Sequence, residues 1–235
     1  MSDILSHTKF VIPAPATPSV AVSGTDARFP VRRIFCVGRN YAAHAREMGR
    51  DPDREPPFFF LKPSDTVVDD GATVPYPPQT QNFHYEIELI VAIGVGGADI
   101  PIERALDHVY GYAVGIDLTR RDLQLAAREQ GRPWDWGKGF DLSAPIAPLH
   151  PVSQVGHMAK GRLWLAVNGV VKQDSDISKL IWGVPEIIAC ISQSMTLAPG
   201  DLIMTGTPEG VGPVVRGDVM TGGIDGLEEI TISVR

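Results

Sequence analysis

The sequence predicts a mixed, β-rich α+β fold, in which a β-roll with short helices is favoured over a doubly wound sheet. Short, largely apolar runs, such as residues 83–93 and 109–116, are bounded by turn-forming or polar residues, as strands usually are. Residues 163–173 carry the clearest hairpin signal, with Asn168-Gly169 suited to a type I′ turn. Helical segments are few and short, so the pattern differs from that of a βαβ fold.

The first elements follow in order along the chain. Residues 1–30 are rich in Pro, Ala, Ser and Thr and are predicted to form an extended N-terminal arm. A strand at 33–38 precedes a short helix that Asn40 can cap and Gly49 can end. No linker follows the arm, so residues 31–235 are predicted to form one domain.

Later elements are predicted from the same kinds of signal. Thr119–Asp122 is typical of a capping box, which starts a helix running to about Glu129. Pro185 suits the first turn of another helix, which runs to about Met195. The other predicted elements are strands at 58–60, 83–93, 202–205 and 230–234, a short helix around 103–106, and an aromatic loop at 134–140.

Composition argues against several classes of function. The net charge is -7 and no basic stripe occurs, which disfavours general nucleic-acid binding. No apolar stretch approaches membrane-spanning length, and the N-terminus lacks the pattern of a secretory signal. Cys36 and Cys190 both lie in apolar settings and are predicted to be reduced thiols of a cytoplasmic protein.

Three carboxylates, Glu86, Glu88 and Asp117, are the strongest functional signal in the chain. Glu86 and Glu88 are two residues apart in a predicted strand, so their side chains share a face. Asp117 ends a second apolar run. Buried carboxylates close together need a cation or a proton, and oxygen ligands favour Mg²⁺ or Mn²⁺. Alternatively, both glutamates lie on the wet face of an antiparallel strand.

A second signal is the pair His44 and Glu47, which lie three residues apart and share a helix face. A histidine that a carboxylate orients can act as a general base for water. The alternative is an ordinary polar pair on an exposed helix, and an isolated pair of this kind favours that alternative.

Three further motifs offer groups to an anionic ligand. Arg121 and Gln124 share a helix face, and Arg121 could clamp a carboxylate, although solvation of the helix surface is the simpler role. Lys138 lies between glycines in an apolar segment, where it could meet an oxyanion or be a solvated loop lysine. Residues 205–212 offer backbone N–H groups and a hydroxyl to an anion, or form a structural turn.

In combination and in order, these motifs resemble the fumarylacetoacetate hydrolase family over about residues 31–235. The segments that carry the resemblance are Cys36–His44, Glu86–Glu88, Gly115–Gln124, Lys138–Asp141 and Gly206–Pro208. The resemblance implies a β-sandwich roll that serves as the catalytic domain, is usually dimeric, and binds Mg²⁺ or Mn²⁺ through acidic ligands.

The resemblance also implies a role for each site residue. The metal ligands fall on Glu86, Glu88 and Asp117, the catalytic groups on His44, Glu47 and Lys138, and the substrate-binding groups on Arg121, Gln124 and Thr207. Arg120 departs from the family pattern because it replaces a small residue before Arg121. Which of these two arginines faces the substrate is therefore left open.

The expected activity is metal-dependent hydrolysis of a carbon–carbon bond in a 2,4-diketo acid. The favoured reaction converts 3-fumarylpyruvate to fumarate and pyruvate, a step of gentisate-type aromatic catabolism. The ion would act as a Lewis acid, His44 would deprotonate water, and Lys138, with Gln124, would steady the oxyanion. The alternatives are acylpyruvate hydrolysis, oxaloacetate decarboxylation or isomerisation, and a non-catalytic ligand-binding module that a metal stabilises.

A substrate with a carboxylate at each end also needs a second cation. The sequence offers three candidates and does not choose among Arg50, Arg54 and Arg132. The expected partners are this small-molecule substrate and a second copy of the chain, with no nucleic acid and no membrane.

Overall fold

Strands dominate the computed structural model, which describes residues 9–47 and 55–235 and, for residues 45–47, only the backbone. The strands are β1 (Ser19–Val22), β2 (Thr25–Pro30), β3 (Arg33–Gly38), β4 (Phe58–Lys62), β5 (Val67–Asp69), β6 (Thr73–Val74), β7 (Phe83–Tyr85), β8 (Ile87–Ile93), β9 (Val109–Ile116), β10 (Thr119–Arg120), β11 (Ala144–Ile146), β12 (His150–Pro151), β13 (Arg162–Val167), β14 (Val170–Asp176), β15 (Asp201–Met204), β16 (Gly212–Pro213), β17 (Val219–Ile224) and β18 (Ile230–Val234).

The helices are short and few by comparison with the strands. They are α1 (Ala42–Glu47), α2 (Arg121–Glu129), α3 (Asp135–Lys138), α4 (Val152–Val155) and α5 (Val184–Ser194), with 3₁₀ turns at Ser64–Thr66, Ile102–His108 and Ile177–Lys179. The predicted mixed, β-rich α+β class is confirmed. None of the helices that the structure describes is long and apolar enough to cross a membrane.

Two larger sheets and two smaller ones organise these strands. The eight-stranded sheet has the order β4-β3-β15-β8-β9-β11-β5, with β12 also paired to β9. The five-stranded sheet has the order β14-β13-β17-β18-β6, and a three-stranded sheet joins β10, β7 and β16. Most pairs are antiparallel, but β3 with β15, β5 with β11 and β6 with β18 are parallel, so the architecture is mixed.

Strand β8 is the central strand of the core. Successive side chains of a strand point to opposite faces, and both faces of β8 are covered. Leu89 and Val91 pack in the main apolar cluster, whereas Ile90 and Ala92 pack in a second cluster on the other face. Burial on both faces explains why this strand is a continuous apolar run. It also excludes the alternative in which Glu88 lies on a wet face.

The predicted arm contains more structure than its composition indicates. Within residues 1–30, β1 and β2 form an antiparallel hairpin in which Val20 lies opposite Phe29. Both side chains are buried in the second apolar cluster, so this hairpin covers one face of the large sheet. The extended-arm prediction is wrong for residues 19–30, because these two buried apolar side chains are enough to hold a short hairpin against the sheet. The predicted domain boundary at residue 30 stays a prediction.

Three local predictions differ from the structure near the three carboxylates Glu86, Glu88 and Asp117. The predicted strand at 83–93 is interrupted at Glu86, because β7 pairs with β10 and β16 while β8 pairs with β9 and β15. The predicted capping box of α2 is absent, since Thr119 lies in β10 and its hydroxyl donates to the carbonyl of Asp117. The predicted aromatic loop at 134–140 contains a short helix, α3.

Candidate metal and substrate site

The pairing of β8 with β9 brings the three carboxylates together. Glu88 lies opposite Gly115, two residues before Asp117, and the backbone N–H of Asp117 donates to the carbonyl of Glu86 at 2.8 Å. One oxygen from each of Glu86, Glu88 and Asp117 lies within 4.8 Å of the others. Their side chains are almost fully buried, at 5%, 2% and 0% exposure for the three residues in that order.

Buried cations balance two of these carboxylates. The ammonium of Lys138 donates to Glu86 Oε2 at 2.8 Å, to Asp117 Oδ2 at 2.6 Å and to the Thr119 hydroxyl at 2.7 Å. An ammonium has three donors, so these contacts use all of them. Arg121 donates to the other oxygen of Glu86. Burial opposes ionisation of Glu86, but Lys138 and Arg121 hold its pKa below the usual range.

Lys62 is a site cation that the sequence analysis missed. It lies at the end of β4, fully buried, and its ammonium is 2.9 Å from Asp117 Oδ1. The same ammonium donates to the carbonyl of Leu118 at 3.1 Å. The signal that could have identified it is its position: a lysine that ends an aromatic strand can reach the same sheet edge as Asp117.

Glu88 differs from the other two carboxylates in its electrostatics. Among the described residues no Lys, Arg or His forms an ion pair with it, and its Oε2 accepts only the backbone N–H of Gly206, at 2.7 Å. Burial raises the pKa of Glu88 well above its usual range, and the charges of Asp117 and Glu86 raise it further. A buried carboxylate without a cation is costly. This donor set of carboxylate oxygens therefore fits a hard divalent ion such as Mg²⁺ or Mn²⁺.

The Gly206-Thr207 loop is shaped by glycine. Gly206 has φ +99°, and a Cβ at this position would lie 2.8 Å from the Cβ of Asn40. Glycine alone tolerates both this positive φ and the lack of space for a Cβ. Glycine is therefore needed here for the backbone N–H to reach Glu88. Thr207 follows, and its hydroxyl accepts a hydrogen bond from Gln173 Nε2 at 2.9 Å. Its own proton is then available to a ligand in the site.

Gln173 is a second buried group that the sequence analysis missed. Its Oε1 accepts the N–H of Ile87 at 3.0 Å, and its Nε2 donates to Thr207 and to the carbonyl of Pro208. One amide therefore ties the acidic strand β8 to the Gly-Thr-Pro loop. No sequence signal identifies it, because it lies on an ordinary hairpin strand, β14.

Helix α2 presents its polar face to the site. Gln124 Oε1 accepts from Arg121 at 2.5 Å, which leaves the Gln124 amide N–H groups available to a ligand. Gly137 allows α3 to pack here, because a Cβ on it would lie 2.9 Å from Gln124 Cα. Arg120 points elsewhere: its guanidinium stacks over Phe140 at 4.6 Å and donates to the carbonyl of Pro78. Of these two neighbouring arginines, Arg121 is therefore the one that lines the site.

Asn40 fixes the segment that leads into α1. Its side chain is fully buried, donates to the carbonyls of Trp182 at 2.9 Å and Thr205 at 2.8 Å, and accepts the N–H of Trp182 at 2.7 Å. The prediction that Asn40 caps α1 is wrong, because its side chain binds two distant loops instead. The start of α1 is thereby held against the loop that precedes Gly206. The predicted helix end at Gly49 lies outside the described residues.

We expect Asn40→Ala to lower the free energy of unfolding by about 2–4 kcal/mol, because it leaves one buried N–H and two buried carbonyls without partners. Urea denaturation of the metal-free protein measures this change. Gln130→Ala, which truncates an exposed amide, is the control and should be nearly neutral. A neutral Asn40→Ala variant would contradict the anchoring role.

The side chains of the site line a single cavity. The predicted residues that line it are His44, Glu86, Glu88, Asp117, Arg121, Gln124, Lys138 and Thr207. His44, on α1, is buried at 7% exposure. The side chain of Glu47, its predicted partner, lies outside the described residues. The sequence analysis did not identify the other lining side chains, which are Val37, Arg39, Phe60, Arg128 and Trp134.

The three arginines predicted as candidates to bind the second carboxylate of the substrate do not line this cavity among the residues that the structure describes. Arg50 and Arg54 lie outside the described residues. Arg132 is exposed and lines a separate cavity with Trp136, so it is not part of the site cavity. Helical spacing could have identified Arg128, because it follows Arg121 and Gln124 on the same face of α2.

Comparisons with known proteins show which family this chain belongs to. A family model described as "Fumarylacetoacetate (FAA) hydrolase C-terminal" matches residues 33–235. A fumarylpyruvate hydrolase from a Ralstonia species is 50% identical over 80% of this chain and 98% of that protein. A mitochondrial oxaloacetate tautomerase from Arabidopsis thaliana is 44% identical over 86% of this chain and 90% of that protein.

A solved structure extends the likeness to the whole fold. The crystal structure of fumarylpyruvate hydrolase from Pseudomonas aeruginosa, in complex with Mn²⁺ and pyruvate, superposes with a TM-score of 0.94 at 57% identity. The match covers 96% of this chain and 99% of that chain. The predicted roll with short helices is therefore confirmed by a solved relative.

Proposed function

Because the chain belongs to the fumarylacetoacetate hydrolase family, we propose that it hydrolyses a carbon–carbon bond of 2,4-diketo acids in a reaction that needs Mg²⁺ or Mn²⁺. The favoured reaction converts 3-fumarylpyruvate and water to fumarate and pyruvate. The observation that carries the proposal is the buried cluster of three carboxylates, which lines the same cavity as His44. Within this cluster, Glu88 forms no ion pair with any cation among the described residues. The Pseudomonas aeruginosa relative, which binds Mn²⁺ and pyruvate, supports both the cofactor and the product.

Glu86, Glu88 and Asp117 are the groups proposed to hold the ion, since each contributes an oxygen to the cluster. When bound, the ion supplies Lewis-acid polarisation of the keto acid. Lys138, Lys62 and Arg121 form ion pairs with Glu86 and Asp117 and hold these two carboxylates in place. The prediction that Lys138 steadies the oxyanion stays a prediction; its three contacts support a role in positioning the carboxylates.

The chain's own residues supply the proton transfers and the oxyanion contacts. His44 takes a proton from water, and Glu47 orients the imidazole. The hydroxide adds to the 4-carbonyl carbon, and the Gln124 amide and the Thr207 hydroxyl donate to the oxygen that becomes negative. The bond between C3 and C4 then breaks, its electron pair stays on C3, and C3 takes the proton back from His44. The products are fumarate and pyruvate.

A second candidate function is the conversion of oxaloacetate, by decarboxylation or tautomerisation. The observation that favours it is the Arabidopsis thaliana relative, an oxaloacetate tautomerase that is 44% identical over 86% of this chain. Hydrolysis of a 2,4-diketo acid and conversion of oxaloacetate would both bind a 2-keto acid at the same site. The group that the site accepts at the other end of the substrate therefore decides between the two functions.

We expect a higher kcat/KM for 3-fumarylpyruvate than for acetylpyruvate or oxaloacetate, by roughly tenfold or more if a charged contact is lost with the shorter substrates. A spectrophotometric screen of the three compounds, with Mg²⁺ or Mn²⁺ added, measures the ranking. Equal efficiency on fumarylpyruvate and acetylpyruvate would support acylpyruvate hydrolysis, and a clear preference for oxaloacetate would support the second candidate.

We also propose that the protein is a cytoplasmic homodimer of gentisate-type aromatic catabolism. The family resemblance supports the dimer, and the favoured substrate supports the pathway. Cys36 and Cys190 are both free thiols, which supports a reducing compartment. Light scattering on the purified protein tests the oligomeric state.

A further inference from the structure

The cations nearest the acidic cluster are already engaged. Lys62 is paired with Asp117, Arg121 with Glu86, and Lys138 with both carboxylates. A substrate carboxylate that came to any of them would compete with a buried carboxylate of the protein. A dicarboxylic substrate therefore needs a further cation for its second charged end.

Arg128 lies where such a cation is needed. It lines the site cavity, half-buried, on the face of α2 that also carries Arg121 and Gln124. Arg128 lies seven positions after Arg121 in the helix, which is about 10 Å along the axis. In the part of the chain that the structure describes, its guanidinium forms no ion pair. Its position and its available charge suit the far end of an elongated ligand.

Part of the cavity wall is aromatic. Phe60 and Trp134 both line the cavity, and their ring centroids are 5.6 Å apart. Aromatic faces pack against flat, unsaturated carbon chains, whereas they offer a carboxylate nothing. The charged end of the ligand must therefore lie away from these two rings and meet a cation elsewhere in the cavity.

We propose that Arg128 determines specificity by binding the carboxylate at the acyl end of a dicarboxylic 2,4-diketo acid. The inference rests on the proposed function, since it concerns the substrate of that site. Arg39 lines the same cavity, but its guanidinium lies over the Phe58 ring at 5.9 Å and it interacts with other groups. Arg132 lies at a separate cavity, which removes it as the partner of this carboxylate.

Arg128→Gln should lower kcat/KM for fumarylpyruvate by roughly 30-fold or more, the usual effect of losing one partner of a desolvated charge pair. Activity on acetylpyruvate, which has no second carboxylate, should change by less than about twofold. Arg128→Lys should recover part of the loss because it keeps the charge without the two-pronged geometry. Arg132→Gln removes the same charge from the adjacent loop and should leave the ratio of the two substrates unchanged.

A binding measurement separates this inference from the proposed function. In a His44→Ala background, which is expected to bind substrate with turnover lowered by roughly 10²–10⁴-fold, calorimetry gives Kd for fumarylpyruvate and acetylpyruvate with Mn²⁺ present. Adding Arg128→Gln should weaken fumarylpyruvate binding by roughly 30-fold and leave acetylpyruvate binding nearly unchanged. This result would support the inference even if the wild-type protein did not hydrolyse fumarylpyruvate.

Three results would overturn the inference. One is an equal loss on both substrates after Arg128→Gln, which would indicate a structural role. Another is an unchanged substrate ratio, and the third is a loss that follows Arg132→Gln instead. If the wild-type protein hydrolyses fumarylpyruvate in any of these cases, the proposed function stands while the specificity assignment fails.

Discussion

Glu88→Ala is expected to lower turnover by roughly 10³-fold or more, because the proposed metal contributes several kcal/mol of transition-state stabilisation. Of the three carboxylates, Glu88 is the one whose replacement tests metal binding most directly. Glu86 and Asp117 both neutralise buried cations, so truncating either would take away one of the two carboxylates that Lys138 contacts. Truncating Glu88 leaves no cation unpaired among the residues that the structure describes.

The electrostatics of Glu88 give this variant a second readout. Burial and two neighbouring carboxylates already raise its pKa, so the metal-free fold gains little from its charge. Loss of the charge should therefore cost the metal-free variant little, and any loss of stability should come mainly from the buried N–H of Gly206, which loses its acceptor. Mn²⁺ should raise the melting temperature of the wild type, because a ligand that binds only the folded state stabilises it. The same addition should have little effect on the variant.

Chelation and a matched variant complete the test. Removing divalent ions with a chelator should abolish turnover of the wild type, and Mg²⁺ or Mn²⁺ should restore it. Glu129→Ala removes an exposed carboxylate from the end of α2 and should keep both activity and the response to Mn²⁺. Full activity in metal-free wild-type protein would refute the metal-dependent reaction.

The fold was predictable wherever local signals and tertiary packing agree. Strand β18 occupies the predicted residues 230–234, and Asn168 and Gly169 have the positive φ angles of the predicted type I′ turn. The hairpin of β1 and β2 was not predictable, because its apolar residues are few and acquire meaning only against the large sheet. The interruption at Glu86 has a similar cause, since it depends on which strands pair on either side.

The site was predictable where a residue type is unusual for its surroundings. Glutamates in an apolar strand and a lysine between glycines are conspicuous, and Glu86, Glu88 and Lys138 line one cavity. Lys62 has only its place at the end of an aromatic strand as a sequence signal, and Gln173 has none, since residues of those types are mostly exposed. Only the folded chain brings Lys62 to Asp117 and Gln173 to Thr207.

His44→Ala is expected to lower turnover by roughly 10²–10⁴-fold, the usual effect of losing a positioned general base. Metal affinity should remain nearly intact, because the proposed ligands are carboxylate oxygens and imidazole is not among them. Mn²⁺ titration by calorimetry measures the affinity, and steady-state assays measure turnover. His108→Ala is the control, since this ring binds the Val95 carbonyl at the opposite end of the β8–β9 pair.

The comparison between His44→Ala and Glu47→Gln tests how the base is oriented. If Glu47 only aligns the imidazole, Glu47→Gln should reduce kcat by an equal or smaller factor and leave KM almost unchanged. A double variant should then be no slower than His44→Ala, because residues that act as one unit are not additive. If His44→Ala instead loses Mn²⁺ while keeping its fold, the histidine is a ligand, and water activation must be assigned to another group in the cavity.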